Sequence, residues 1–202
     1  MDKIKLKELY LKDKKSSAEI SKILNISTSK INYWLEKYGI TKRSISDAVY
    51  TRKHPLGDPF KIKNKLNQQD SILYGIGLGL YWGEGTKASV NSIRLGNSDP
   101  DLLRIFIIFL NRIYGVKTKD LRFGLQIFST MEPEECLKFW CQSLSVNKSQ
   151  FYKTMIKPSV SKGTYTARKI EGVVTIYYNN TKLRNELNDA LKKRAKRIII
   201  AG

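Results

Sequence analysis

The apolar positions of this chain follow two different spacings. Over residues 1–38 they recur at helical intervals in three short blocks: Ile4, Leu6, Leu9 and Tyr10; then Ile20, Ile23 and Leu24; then Ile31, Trp34, Leu35 and Tyr38. Residues 102–114 and 133–144 have the density of buried helices, the second burying Cys136, Leu137, Phe139 and Trp140, and Leu183, Leu187 and Leu191 mark one face of a last helix. Between them lie alternating segments at 92–96, 121–128, 151–157 and 173–178, with a further candidate strand at 164–169 after a turn at 162–163. In the second of these, Leu121, Phe123, Leu125 and Ile127 share one face while Arg122 and Gln126 share the other. A helical block followed by interleaved helices and strands predicts an α+β protein: an all-α domain over 1–49, a linker over 50–69 and an α/β domain over 70–202.

Local signals sharpen the first block. Ser16 or Ser17 can cap the second helix, and Asn25-Ile26-Ser27 makes a tight turn in which asparagine tolerates the left-handed conformation. Ser27 can cap the third helix, and Gly39 stops it. The pattern resembles a helix-turn-helix, with Ser21 in the small-residue slot and Asn25 where the motif often has glycine. The outer face of the third helix carries Thr28, Ser29, Lys30, Asn32, Tyr33 and Lys37, short polar and basic groups suited to base edges and phosphates. Lys42 and Arg43 extend that basic surface just beyond it. Helix-turn-helix folds also serve as protein-docking modules. After the turn cluster at 54–59, Lys61, Lys63 and Lys65 alternate with other residues, the pattern of a basic segment along a phosphate backbone or of a solvated tether. His54 is the only histidine and has no metal-ligand company.

The stretch that organises the second half runs from Leu73 to Lys87. It reads as an apolar helix, yet it contains Gly75, Gly77, Gly79 and Gly83, and each interior glycine costs about 1 kcal/mol relative to alanine. Gly75, Gly79 and Gly83 fall at i, i+4 and i+8, on one face that lets a second backbone approach closely. Gly85 can end the helix just after Glu84, a carboxylate at the negative end of the dipole that stability alone would not choose. The run is too short for a membrane span, and Trp82 stands where a dinucleotide fingerprint needs its third glycine. A plain buried helix is the simplest alternative.

Gly77-Leu-Gly-Leu-Tyr-Trp-Gly-Glu-Gly85 resembles the nine-residue LAGLIDADG motif of homing endonucleases and their non-cleaving relatives. Gly79 and Leu80 match the third and fourth letters, Glu84 the second acid and Gly85 the final glycine; Trp82 departs from the first acid. The resemblance, which covers roughly residues 70–202, implies a domain whose antiparallel, saddle-shaped sheet lies in the major groove. It also implies a homodimer joined through Gly75, Gly79 and Gly83, with Glu84 of each copy as catalytic residue and Mg²⁺ ligand. Lys182 is the one nearby candidate for a second catalytic group. On the sheet, Arg94, Arg122, Gln126, Lys153, Thr175 and Tyr177 are the candidates for contact with DNA, arginine and glutamine because each can bond a base edge twice. The implied function is site-specific, Mg²⁺-dependent cleavage of double-stranded DNA. The alternatives are a helix-turn-helix/LAGLIDADG-like transcription regulator that binds without cutting, and a maturase-like RNA-binding protein.

Charge supports a polyanionic partner in every version. The 202 residues hold 37 Lys and Arg against 18 acids, a net +19. Residues 1–69 carry 16 basic and 7 acidic groups, and residues 70–202 carry 21 and 11, so both halves are basic rather than one tail. The run Lys192–Arg197 adds to this or is simply solvated. Cys136 and Cys141 are too few for a disulfide framework, and the start lacks an apolar signal region, so a cytoplasmic protein is expected.

Overall fold

The computed structural model describes residues 1–158 and 171–201. The chain is α+β and divides into two compact units, Met1–Pro59 and Phe60–Gly202. The candidate strand at 164–169 and its preceding turn lie outside the described residues.

In the first unit, α1 (Lys3–Lys7) runs on through a π-helical turn (Glu8–Lys12), followed by α2 (Ser17–Leu24), α3 (Thr28–Lys37) and α4 (Ile45–Lys53). Ser16 accepts from the Glu19 amide at 3.2 Å and the Glu19 carboxylate accepts from the Ser16 amide at 2.8 Å, a reciprocal cap that starts α2. The same bond from the Ser16 amide holds the Glu19 carboxyl below its ordinary pKa. Asn25 ends α2 in the left-handed region (φ 51°, ψ 46°) and Ser27 caps α3, as the turn residues predict. Ser21 donates to the Ile26 carbonyl at 2.6 Å across that turn. Leu6, Tyr10, Ile20, Ile31, Leu35 and Ile40 form the core. Ile4 and Ile23, expected inside, are 76% and 52% exposed. With eight residues, α2 makes little more than two turns, and only Ile20 on it is fully buried.

The second unit places α5 (Gln68–Glu84), α6 (Pro100–Tyr114), α7 (Pro133–Leu144) and α8 (Thr181–Ala201) around a four-stranded sheet of order β1-β4-β2-β3. The strands are β1 (Ile93–Asn97), β2 (Arg122–Phe128), β3 (Met155–Lys157) and β4 (Val173–Tyr178). β4 pairs antiparallel with β1 and β2, but β2 pairs parallel with β3. The sheet is therefore mixed rather than antiparallel throughout. The cause is connectivity: α7 lies between β2 and β3, and a helical crossover returns the chain in the same direction where a hairpin would reverse it.

One face of the sheet carries Ile93, Leu95, Phe123, Leu125, Ile127, Val174, Ile176 and Tyr178, all buried with α6 residues such as Phe106, Phe109 and Ile113. Asp99 caps α6 ahead of Pro100, and Gly115 closes it in the left-handed region.

Segment 60–66 belongs to this unit rather than to a free linker. The amides of Lys61 and Lys63 donate to the carbonyls of Tyr114 and Ile113, both at 2.8 Å, which satisfies end groups of α6 that the helix itself cannot. Lys63 Nζ and Arg112 Nε each lie 2.6 Å from the carboxylate of the fully buried Asp70. The hydrogen bond from Lys63 is the main reason that the Asp70 carboxyl titrates below the ordinary carboxylate range. Lys63 is thus engaged with the buried carboxylate of its own unit.

Candidate nucleic-acid interface

In the first unit, the expected reading helix α3 leaves Thr28, Ser29, Lys30, Tyr33 and Lys37 exposed, while Asn32 is half-buried. Asn32 borders an open cleft of about 700 Å³ that is also lined by Ser16, Arg43, Ile45 and Val49. The Lys37 ammonium lies 5.7 Å from the Tyr33 ring centre and 4.9 Å from that of Trp34, so it rides on an aromatic pair. Lys42 is exposed, 3.9 Å from Glu36. Arg43 is half-buried and already engaged within its own unit. Its Nη1 donates to the Lys14 carbonyl at 2.9 Å, its Nη2 donates to the Lys15 carbonyl, and its guanidinium lies 4.4 Å from the Tyr10 ring centre. Arg43 latches the segment after α3 onto the turn between α1 and α2, which leaves little of it for phosphate.

In the second unit, the pairing register brings the predicted sheet residues together. Arg94 faces Tyr177, and Tyr177 faces Arg122, giving one row across three strands. The next row is Gly96, Thr175 and Gly124, and Gln126 follows opposite Val173. All lie on the face opposite the buried one, because side chains alternate along a strand. That face is open: Arg94 and Arg122 are exposed, and Gln126, Thr175 and Tyr177 are half-buried. The Tyr177 ring lies against Gly124, where an added Cβ would meet it at 3.0 Å, and Tyr152 meets the same ring edge-on at 5.5 Å.

Lys153 is exposed just before β3. Phe151 bridges Phe123, whereas Met155 partners Gln126, so one extra residue enters this strand between them and Lys153 lies in that irregularity. Sequence reading took 151–157 as one regular strand; a one-residue slip carries no composition signal. Tyr152 was missed for the same reason.

The glycine helix divides its glycines sharply. A Cβ on Gly75, Gly79 or Gly83 would meet nothing within 4 Å, and the same side of α5 exposes Ile72, Ile76 and Trp82 by 57%, 46% and 59%. Gly77 points inward, where a Cβ would fall 2.2 Å from Cγ of Phe109. Gly85 caps the helix as expected but in an extended conformation (φ −74°), and glycine is required because a Cβ would sit 2.4 Å from the Tyr81 carbonyl and ring. Glu84 is exposed on the last turn, and Lys182 is exposed on the first turn of α8.

Lys87, which sequence reading passed over, donates to the Trp82 carbonyl and lies 5.7 Å from the Tyr81 ring centre. Its position two residues after Gly85 is the signal that could have found it, since cations favour helix C-termini. Burial lowers its pKa, and the neighbouring Glu84 works against that shift. No group of three or more His, Cys, Asp or Glu side chains among the described residues could hold a metal ion. Glu84 offers a Mg²⁺ ion one carboxylate, and the rest of its octahedral oxygen shell would have to come from water, phosphate or a second copy. No helix among the described residues is long and apolar enough to cross a membrane.

No protein-family model, no curated protein and no solved structure matches the chain. The likeness to LAGLIDADG proteins therefore rests on the residues of α5 and the order of elements around it.

Proposed function

We propose that this protein binds double-stranded DNA at specific sites as a homodimer. In this reading the first unit acts as a helix-turn-helix and the second as a LAGLIDADG-like domain. The observation that carries the proposal is the outer sheet face, where the pairing register aligns Arg94, Tyr177, Arg122, Thr175 and Gln126, each of them exposed or half-buried. Charged and hydrogen-bonding groups on a rigid sheet suit groove contact, and a net charge of +19 supplies long-range attraction. α3, with Thr28, Ser29, Lys30, Tyr33 and Lys37 exposed, adds a second contact and a longer footprint.

A second copy is the partner that best suits the outer side of α5. Three glycines facing open space allow close approach, and Ile72, Ile76 and Trp82 supply apolar area around them. Such a pairing brings two Glu84 carboxylates near one axis. This favours a second reading, in which the dimer also hydrolyses DNA with Mg²⁺, and Glu84 with Lys182 forms the catalytic group. When bound, that metal would supply Lewis-acid activation at the phosphodiester.

The decisive experiment selects duplexes from a random library in Ca²⁺, then transfers the enriched sequences to Mg²⁺ beside Glu84→Gln. Enrichment supports the DNA-binding reading, and its absence defeats it. Cutting that vanishes in the variant adds hydrolysis; tight binding without cutting leaves a regulator.

A further inference from the structure

The three arginines expected to touch DNA differ in what their guanidinium groups already hold. Arg43 uses both terminal nitrogens inside its own unit. Arg122 donates from Nη1 to the carbonyls of Lys119 at 3.0 Å and Leu121 at 2.9 Å. Arg94 uses only Nε, which donates to Ser92 Oγ at 2.8 Å, and neither of its Nη groups has a hydrogen-bond partner among the described residues.

The anchor under Arg94 is built rather than incidental. Ser92 is 1% exposed, and its Oγ lies 2.7 Å from Ser89 Oγ. The loop that carries both serines is pinned to α8: Arg184 Nε donates to the Ser89 carbonyl at 3.0 Å and Nη2 to the Lys87 carbonyl at 2.7 Å. The guanidinium carbon of Arg94 lies 5.4 Å from the Tyr177 ring centre, and Tyr177 is itself braced by Gly124 and Tyr152. A guanidinium held at Nε and against a ring loses little further freedom on binding. Its paired Nη donors match the two acceptors, O6 and N7, that guanine presents in the major groove.

We propose that Arg94 is a specificity-determining residue that reads a guanine through its two Nη groups, with Ser92 as its positioning residue. The assignment rests on the DNA-binding reading above. It is tested on the full chain by sequencing duplexes enriched from a random library by the parent, Arg94→Lys and Ser92→Ala. The parent should demand guanine at one position of each half-site. Arg94→Lys keeps the charge but loses the fork, so discrimination at that position should fall roughly ten- to a hundredfold while the other positions keep their preferences. Ser92→Ala should weaken the same position alone, by a smaller factor; Ser89→Ala, at a less buried site, guards against a variant that fails to fold.

If the parent enriches no duplex, the DNA-binding reading fails and this assignment with it. If the parent selects a site but Arg94→Lys leaves its guanine intact, or weakens all sequences equally as a lost phosphate contact does, only the assignment is overturned. Undiminished discrimination in both serine variants removes the positioning role of Ser92.

Discussion

α5 carries two pairs of like residues with opposite fates, the glycines according to the side of the helix they occupy and the carboxylates according to its end. Gly77 packs against Phe109, whereas Gly79, two positions on, faces open space. Asp70 is fully buried between Lys63 and Arg112, whereas Glu84 is exposed at the other end. The enclosed member of each pair, Gly77 or Asp70, holds the second unit together. Gly79 and Glu84 contribute little to it, and the glycine weakens the helix that carries it. Glycines that cost stability while facing open space are why a second copy is proposed for the outer side of α5.

The comparison breaks most visibly at Gly77. A Cβ there would lie 2.2–2.7 Å from three ring carbons of Phe109. That ring is hemmed in by Tyr74, Phe106 and Tyr114, so it has no easy way to move. Gly77→Ala should destabilise the protein by about 1–3 kcal/mol, net of the helix-propensity gain, read as a lower midpoint in urea denaturation. An unchanged midpoint would mean that α5 and α6 are not in close contact.

Asp70→Asn sharpens the contrast between the carboxylates through pH. The folded-state pKa of Asp70 is lowered, foremost by the Lys63 hydrogen bond, so its contribution to stability is fully present above the unfolded value of about 4 and is lost as pH falls through the folded value. Asn cannot ionise and leaves Lys63 and Arg112 without their counter-charge. The variant should be less stable than the parent at pH 7, and the gap should narrow between pH 4 and pH 2. A gap independent of pH would show that packing, not charge, explains the loss.

These cases also mark what the sequence could reveal. Ser16, Asn25 and Ser27 were legible because a cap or a left-handed turn is decided within a few residues. The alternation of Arg94, Arg122, Gln126 and Tyr177 was legible as strand pattern, although only the register with β4 showed that they share one face. Phe109 against Gly77, Arg112 against Asp70 and Arg43 on the Lys14 and Lys15 carbonyls were not, because each joins segments far apart in sequence. Periodicity likewise cannot tell a parallel β3 from an antiparallel one. The stripe of Gly75, Gly79 and Gly83 was legible because it is decided by spacing within one helix; among the described residues nothing lies within 4 Å of a Cβ built on any of the three.

At Gly79 the expected sign reverses. A methyl group there meets nothing, so Gly79→Ala should stabilise the isolated chain by about 0.5–1 kcal/mol through helix propensity alone. The same methyl group stands in the way of a close helix pair, so the dimer should weaken. Both effects are read from thermal melting across a range of protein concentrations, since association makes the midpoint of the parent rise with concentration. Stabilisation at every concentration would remove α5 as the dimer contact.

Glu84→Gln should have the smallest effect on the fold. The side chain is exposed at the negative end of the α5 dipole, so losing its charge should change stability by about a few tenths of a kcal/mol, in the stabilising direction. The neighbouring Lys87 opposes that gain, because it loses a favourable charge. This near-silence makes the substitution informative. With the fold unchanged, any effect on DNA reports on Glu84 itself: lost cutting with retained binding identifies it as the catalytic carboxylate, whereas unchanged binding with no cutting in either protein leaves it as a surface residue of a DNA-binding dimer. A large loss of stability would instead mean that Glu84 holds part of the fold together, and the contrast between the two ends of α5 would fail where it matters most for function.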